Sequence, residues 1–209
     1  MATNNVSTFL STIQQGIKPN MFSVDISFPA DGTGEAANFT SRDKDLTNIL
    51  CKSAALPGSN LGVIEVPFRG RTVKIAGDRT FDTWTATFFA DRNMEIRGLF
   101  EDWANSINSH AGNTAPRFLP SGGATGYMAD LYVSQLEKDD KEGGSSIRTY
   151  RLHHCFPTNV SPIDLAYDSN DQIAEFSVEW QYSYFTAGVA LADKAGAPIS
   201  EGASPRDVT

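Results

Sequence analysis

From Phe176 to Tyr184 the chain alternates Phe176, Val178, Trp180, Tyr182 and Tyr184 with Ser177, Glu179, Gln181 and Ser183. A period of two puts every second side chain on one face of a pleated strand, so this run predicts a strand with one aromatic face buried and one polar face outside. Phe22, Val24, Ile26 and Phe28 alternate in the same way with Met21, Ser23, Asp25 and Ser27, until Pro29 ends the strand. Between Thr80 and Phe89 the face Trp84, Ala86 and Phe88 is backed by Thr83, Thr85 and Thr87, all good β formers.

Turn chemistry joins shorter β-leaning runs. Val63 to Phe68 and Arg71 to Ile75 flank Arg69-Gly70 and predict a hairpin, as do Tyr127 to Glu137 and Ile147 to Phe156 around the turn-rich residues 139–144. The period changes at Ile96, Leu99, Phe100, Trp103 and Ile107, which recur at three- and four-residue intervals behind Asp91 and Asn93. That spacing predicts a capped helix ending near Asn108. Val6, Phe9, Leu10, Ile13 and Ile17 predict a weaker helix, because Ser and Thr lie between them. Ala30 to Asp45 and Ala111 to Gly126 read as loops, the first of them mobile. Short strands without strict strand–helix alternation imply a mainly β, antiparallel sandwich or partly closed barrel with one flanking α-helix. Residues 1–185 read as a single domain with an N-terminal arm, and 186–209 as a flexible tail rich in Ala, Gly, Pro and Ser.

The chain's 209 residues suffice for one real core. Seventeen Lys and Arg against twenty-five Asp and Glu give a net charge of -8, and no basic stripe is present. Tight nucleic-acid binding is therefore not expected, and an acidic surface repels a passing phosphate backbone. No run of 18 apolar residues and no secretory leader pattern occurs, so a membrane span is not expected.

Candidate chemistry is sparse. His153-His154-Cys155 is the one cluster resembling a metal or nucleophile site, and a Cys/His hydrolase is the reading it supports. On a regular strand, however, His153 and Cys155 share one face and His154 the other, and the remaining His110 lies in a loop. A structural role is favoured, free Cys being normally a small buried hydrophobe. Two cysteines, Cys51 and Cys155, make no disulfide framework or zinc spacing. Asp78-Arg79 reads as a turn held by a charge pair. Neither a metal nor a cofactor is expected, and the chain is read as no enzyme.

One series of segments begins with Lys18-Pro19-Asn20-Met21-Phe22, then Cys51 to Pro57, then Val66-Pro67-Phe68-Arg69-Gly70-Arg71, then Ile75 to Phe81 and on to Trp84. Pro157-Thr158-Asn159-Val160 and Asp168-Ser169-Asn170 complete it, and it runs in order from about Lys18 to Phe185. Taken together, these segments resemble the tail tube proteins of contractile-tailed, myovirus-type bacteriophages. The chain departs from the pattern in its longer 30–45 loop, in Cys155-Phe156 where a Trp before the Pro is expected, and in its tail.

The resemblance implies a structural virion protein whose hexameric rings stack into a tail tube, the conduit for DNA ejection, after assembly in the host cytoplasm. It implies as partners the chain itself, the sheath protein, the tape measure protein, a baseplate tube initiator and a tail terminator, with DNA passing unbound. The alternative within the class is a tube or initiator of a related injection or secretion machine. Two placements follow as expectations. The polar faces Ser23, Asp25, Ser27 and Glu179, Gln181, Ser183 look into the lumen. Leu56, Pro57, Phe68, Arg69, Gly70, Arg71, Asp78 and Arg79 make subunit contacts, since exposed strand edges are templates for pairing.

Overall fold

Trp84, Ala86 and Phe88 enter a core shared with Phe176, Val178 and Trp180, and the two runs pair antiparallel, Trp84 opposite Trp180 and Phe88 opposite Phe176. The computed structural model describes residues 6–13, 16–29, 41–115, 126–137 and 146–188. Along them run α1 (Val6–Ile13), β1 (Phe22–Ile26), α2 (Ser41–Leu50), β2 (Cys51–Ala54), β3 (Asn60–Phe68) and β4 (Arg71–Thr80). Then follow β5 (Trp84–Phe89), α3 (Glu95–Ile107), β6 (Ala129–Leu136), β7 (Ser146–Val160), β8 (Glu175–Gln181) and β9 (Tyr184–Gly188).

Seven strands make one antiparallel sheet in the order β1-β6-β7-β8-β5-β2, with β9 also on β7. Strand β7 belongs to both halves: Thr149 to His153 pair with β9 and the same stretch with β6, while Phe156 to Val160 pair with β8. The sheet thus turns into two layers, β1-β6-β7-β9 and β7-β8-β5-β2, around one core. Val24, Ile26, Leu131 and Val133 come from the first layer and Phe88, Phe176, Val178 and Trp180 from the second. Its ends β1 and β2 do not pair among the described residues, so the barrel stays open. Helix α3 fills the core with fully buried Ile96, Phe100 and Trp103. Phe100 packs against Phe28, Phe88, Phe176 and Trp180 at ring separations of 5.2–6.3 Å. Each such side chain contributes roughly 1.5–3 kcal/mol by leaving water.

The expected cap of α3 is Asp91. Its carboxylate accepts the amides of Asn93, Glu95 and Ile96 at 3.1, 3.1 and 3.2 Å, while Met94 itself is left-handed and contributes no side-chain cap.

Several expectations are corrected. The last alternation is two strands: the chain breaks after Gln181, and β9 crosses to pair with β7, leaving Tyr184 42% exposed. Thr80 belongs to β4, and Phe81 turns inward to pack on Tyr182 and Phe185 before β5 begins. Residues 41–45, read as loop, open helix α2, which leads straight into β2 and joins α1 and α3 as a further helix. Helix α1 is described over Val6–Ile13 and does not reach Ile17, since left-handed Gly16 lies outside it and donates its amide to the Ile13 carbonyl. Strand β9 runs to Gly188, past the boundary expected at 185. The expectations for 30–40, for 116–125 of the second loop, for the turn at 139–144 and for 189–209 lie outside the described residues.

Candidate assembly site

Strands β3 and β4 form a separate two-stranded sheet, longer than the sequence suggests, reaching from Asn60 opposite Thr80 to Phe68 opposite Arg71. Arg69 and Gly70, with φ of 44° and 80°, make the tip, a pair of positive values suited to a two-residue hairpin whose twist matches the strands. Gly62 and Gly77 sit where the register slips between Leu61 and Val63. A Cβ on Gly77 would meet the Gly62 backbone at 3.2 Å, so the bulge depends on the two backbones closing without side chains.

Residues directly opposite in an antiparallel pair share a face. Ile64 and Ile75, Val66 and Val73, and Phe68 and Arg71 therefore form one stripe, apolar up to its arginine. The other face carries Glu65 and Lys74, whose 3.4 Å ion pair is exposed and contributes little. The stripe is uncovered: Ile64, Val66, Phe68, Val73 and Ile75 are 41–61% exposed. An isolated two-stranded hairpin is marginal in water, and an apolar stripe left open on it marks an interaction surface.

The arm's root is fixed to the body. Trp84 Nε1 donates to the Ala55 carbonyl at 2.6 Å, the Tyr182 hydroxyl to the Gly58 carbonyl at 3.2 Å, and Asn60 Nδ2 to Asp82 at 2.6 Å. Leu56 is exposed and Pro57 half-buried in this connection. Phe68, Arg69, Gly70 and Arg71 stand together at the exposed tip. Asp78 and Arg79 are not the expected turn: they lie within β4, no ion pair joins them among the described residues, and Arg79 faces Leu61.

At the other end of β5 and β8 lies a feature that sequence reasoning missed. Residues 161–174 link β7 to β8 around an open cleft of about 1130 Å³ lined by Phe89, Ile163, Leu165, Tyr167 and Ile173 with Asp164 and Asp171. Leu165 and Tyr167 are almost wholly exposed, at 88% and 108%. The run from Ser161 to Glu175 holds four carboxylates and no Lys or Arg, the signal in the sequence that would have drawn attention to it.

The two sets of polar residues expected in the lumen lie in different layers. Ser23, Asp25 and Ser27 belong to β1 and its continuation, in the first layer; Glu179 and Gln181 are on β8 in the second, and Ser183 sits in the break before β9. The outer face of β5 and β8 sets Thr85 opposite Glu179 and Thr87 opposite Ser177, without a Lys or Arg on either strand. The outer face of the first layer instead carries Arg151 and Tyr132.

The His153-His154-Cys155 cluster is a strand irregularity. His154 has φ 58° at the register slip between β6 and β7, so Leu152 and Cys155 both enter the core and His154 is left outside. This corrects the regular alternation expected there. His153 stacks on Tyr184 at 4.4 Å and pairs with the Thr186 hydroxyl at 3.0 Å. Asp130 holds the slip by accepting the His154 amide at 3.1 Å and two Arg151 hydrogen bonds at 3.0 and 2.6 Å. Burial works to raise the Asp130 pKa, but the Arg151 and His154 hydrogen bonds outweigh it and hold the carboxyl below its ordinary value. Burial pushes the Cys155 thiol well up and the Cys51 thiol up to about 12, the reverse of an activated nucleophile. No metal-holding group of three His, Cys, Asp or Glu occurs among the described residues.

The chain has counterparts among known proteins over most of its length. The family model described as phage tail tube protein matches residues 17–187. The chain belongs to the phage tail tube protein family. It is 34% identical over 168 residues to a tail tube protein of Enterobacteria phage T4, covering 80% of this chain and 90% of that one. A tail tube protein of Serratia phage KSP90 is 26% identical, covering 76% and 81%. Among solved structures, a chain from the sheath–tube complex of an extracellular contractile injection system superposes with a TM-score of 0.58 at 16% identity, covering 90% of this chain and all of that one. The tail tube fold accordingly extends to this chain, from before β1 through β9.

Proposed function

We propose that this chain is the repeating subunit of a contractile phage tail tube, forming hexameric rings that stack into a conduit for ejected DNA. The observation that carries the reading is the β3–β4 arm: within a family of tube proteins, this chain holds out an apolar stripe that its own body leaves uncovered. Identity of 34% to a phage tube protein favours a phage tail over an injection or secretion machine, the matched chain of one such sheath–tube complex sharing the fold at only 16% identity. The sheath and tape measure proteins, a baseplate initiator and a terminator are its proposed partners, with assembly in the host cytoplasm before incorporation in the virion.

The proposed bore wall is the outer face of β5 and β8. A surface of Thr85, Thr87, Ser177, Glu179 and Gln181 carries hydroxyl, amide and carboxylate groups without a cation, so a polyanion passes without binding. Arg151 and Tyr132 make the first layer's outer face the more adhesive of the two. No catalytic role is proposed, and the raised thiol pKa values support a structural part for both cysteines.

Negative-stain microscopy of the purified protein over a concentration series tests the reading. Hollow rods of uniform width are expected, and monodisperse globules at every concentration would overturn it. Labelling assembled rods with a maleimide too large for the bore, after Glu179→Cys or Tyr132→Cys, tests the wall: the outer position reacts and the bore position is protected.

A further inference from the structure

The arm and the 161–175 cleft have matching properties and lie at opposite ends of the same strands. The arm's root is held by Trp84 and Tyr182, where β5 starts and β8 has just ended. The cleft opens beside Phe89 and Glu175, where β5 ends and β8 starts. The arm is convex, apolar along one stripe, and carries Arg69, Arg71, Lys74 and Arg79 against Glu65 and Asp78. The cleft is open, is lined by apolar Phe89, Ile163, Leu165 and Ile173 among polar groups, and bears Asp164, Asp171 and Glu175 with no Lys or Arg in its lining, while Asp168 lies beside it on the same loop. Glu175 is taken by Lys52 at 2.6 Å, whereas Asp164, Asp168, Asp171, Arg71 and Arg79 have no ion-pair partner among the described residues.

We propose that the arm of one copy docks in the 161–175 cleft of the next copy, its Phe68 end against Leu165 and Tyr167 and its arginines against Asp164, Asp168 and Asp171. The occupant is a second copy of this chain, because the same polypeptide supplies a basic apolar projection and an acidic apolar recess that cannot meet within one molecule across the length of β5 and β8. A contact between two different surfaces of identical subunits is heterologous, and repeated without closing it generates an open stack. Opposite charge at its rim fixes the register and discriminates against arm-to-arm or cleft-to-cleft contacts. The inference rests on the tube reading and adds which surfaces join.

Charge reversal in halves tests it. Arg69→Glu with Arg71→Glu, and separately Asp164→Lys with Asp168→Lys and Asp171→Lys, are expected to raise the critical concentration for rod formation at least tenfold, each protomer keeping its melting temperature. A chain carrying all five changes is expected to return to within about threefold of the unaltered protein. A second arm uses Phe68→Cys with Tyr167→Cys under mild oxidation, where a ladder of disulfide-linked oligomers is expected. Rods that form equally well with either half reversed, or without recovery in the five-fold variant, overturn this docking while leaving the tube reading standing. An unaltered protein that never associates, together with a Cys pair that yields no ladder, overturns both.

Discussion

Ile64 and Ile75 face each other across the middle of the arm and are 53% and 52% exposed, which makes them a clean place to separate assembly from folding. Replacing both with Thr keeps β-branched side chains in the ladder, so the hairpin retains its local preference. In the free protomer the changes are at half-exposed positions, each worth within about 0.5 kcal/mol, and a chain of this size shifts its melting temperature by about 2–4 °C per kcal/mol. A fall of less than about 4 °C is expected. In the assembly, docking covers the remaining half of each side chain. Full burial of Ile is worth about 2 kcal/mol, so the pair contributes about 1–2 kcal/mol per contact once the methyl retained by Thr is counted. That corresponds to roughly a five- to thirty-fold weaker contact. Sedimentation of rods across a dilution series reads the critical concentration, and circular dichroism of the dilute protomer reads folding. An unchanged critical concentration, or a melting temperature lowered by more than about 8 °C, would refute the assignment of this stripe to contacts between copies.

Two further outcomes concern the body. Asp91→Ala releases the three amides at the start of α3 and is expected to cost about 2 kcal/mol, the upper end for a helix cap, lowering the protomer's melting temperature by about 4–8 °C with Asp91→Asn recovering most of it. Asp130→Asn is expected to cost about 1–2 kcal/mol near neutral pH by weakening the hold of Arg151. Because the folded Asp130 carboxyl lies below its ordinary pKa, its contribution is fully present above about pH 4 and is lost as the pH falls through the folded value. Urea titrations from pH 7 to pH 3 should therefore show the gap between the two proteins narrowing below about pH 4, and a constant gap would contradict the role given to this carboxylate.

The strands carrying Trp84, Ala86 and Phe88, and Phe176, Val178 and Trp180, were legible because burial on one face writes a two-residue period directly into the residue types. The breaks were not. The crossing from β8 to β9 leaves Tyr184 in phase with the preceding aromatics while its backbone has changed partners, and a local pattern has no term for the partner. The slip at His154 likewise shifts one residue out of register, which sends Cys155 inward beside Leu152 against the expected alternation. Helix α2 was hidden because Ser41 to Asp45 is polar throughout, with no face to betray a turn of 3.6 residues. The arm's tip was visible in Arg69-Gly70, but its reach was masked by Gly62 and Gly77, which read as breaks and serve as a close approach. The cleft was missed because its apolar residues are scattered along a loop and become one surface only when β7 and β8 bring its ends together.

The order of the pairings along the chain has a consequence for synthesis. The arm needs only residues 60–80 to pair with itself, whereas its root waits for Tyr182 and its cleft for residues 161–175. A polypeptide still on the ribosome therefore has the makings of a projection early, but no anchored base for it and no recess to offer a neighbour. Because β5 finds β8 only when Trp84 meets Trp180, the proposed docking between copies requires the chain to be made as far as Tyr182, which keeps nascent and prematurely ended chains out of the proposed assembly.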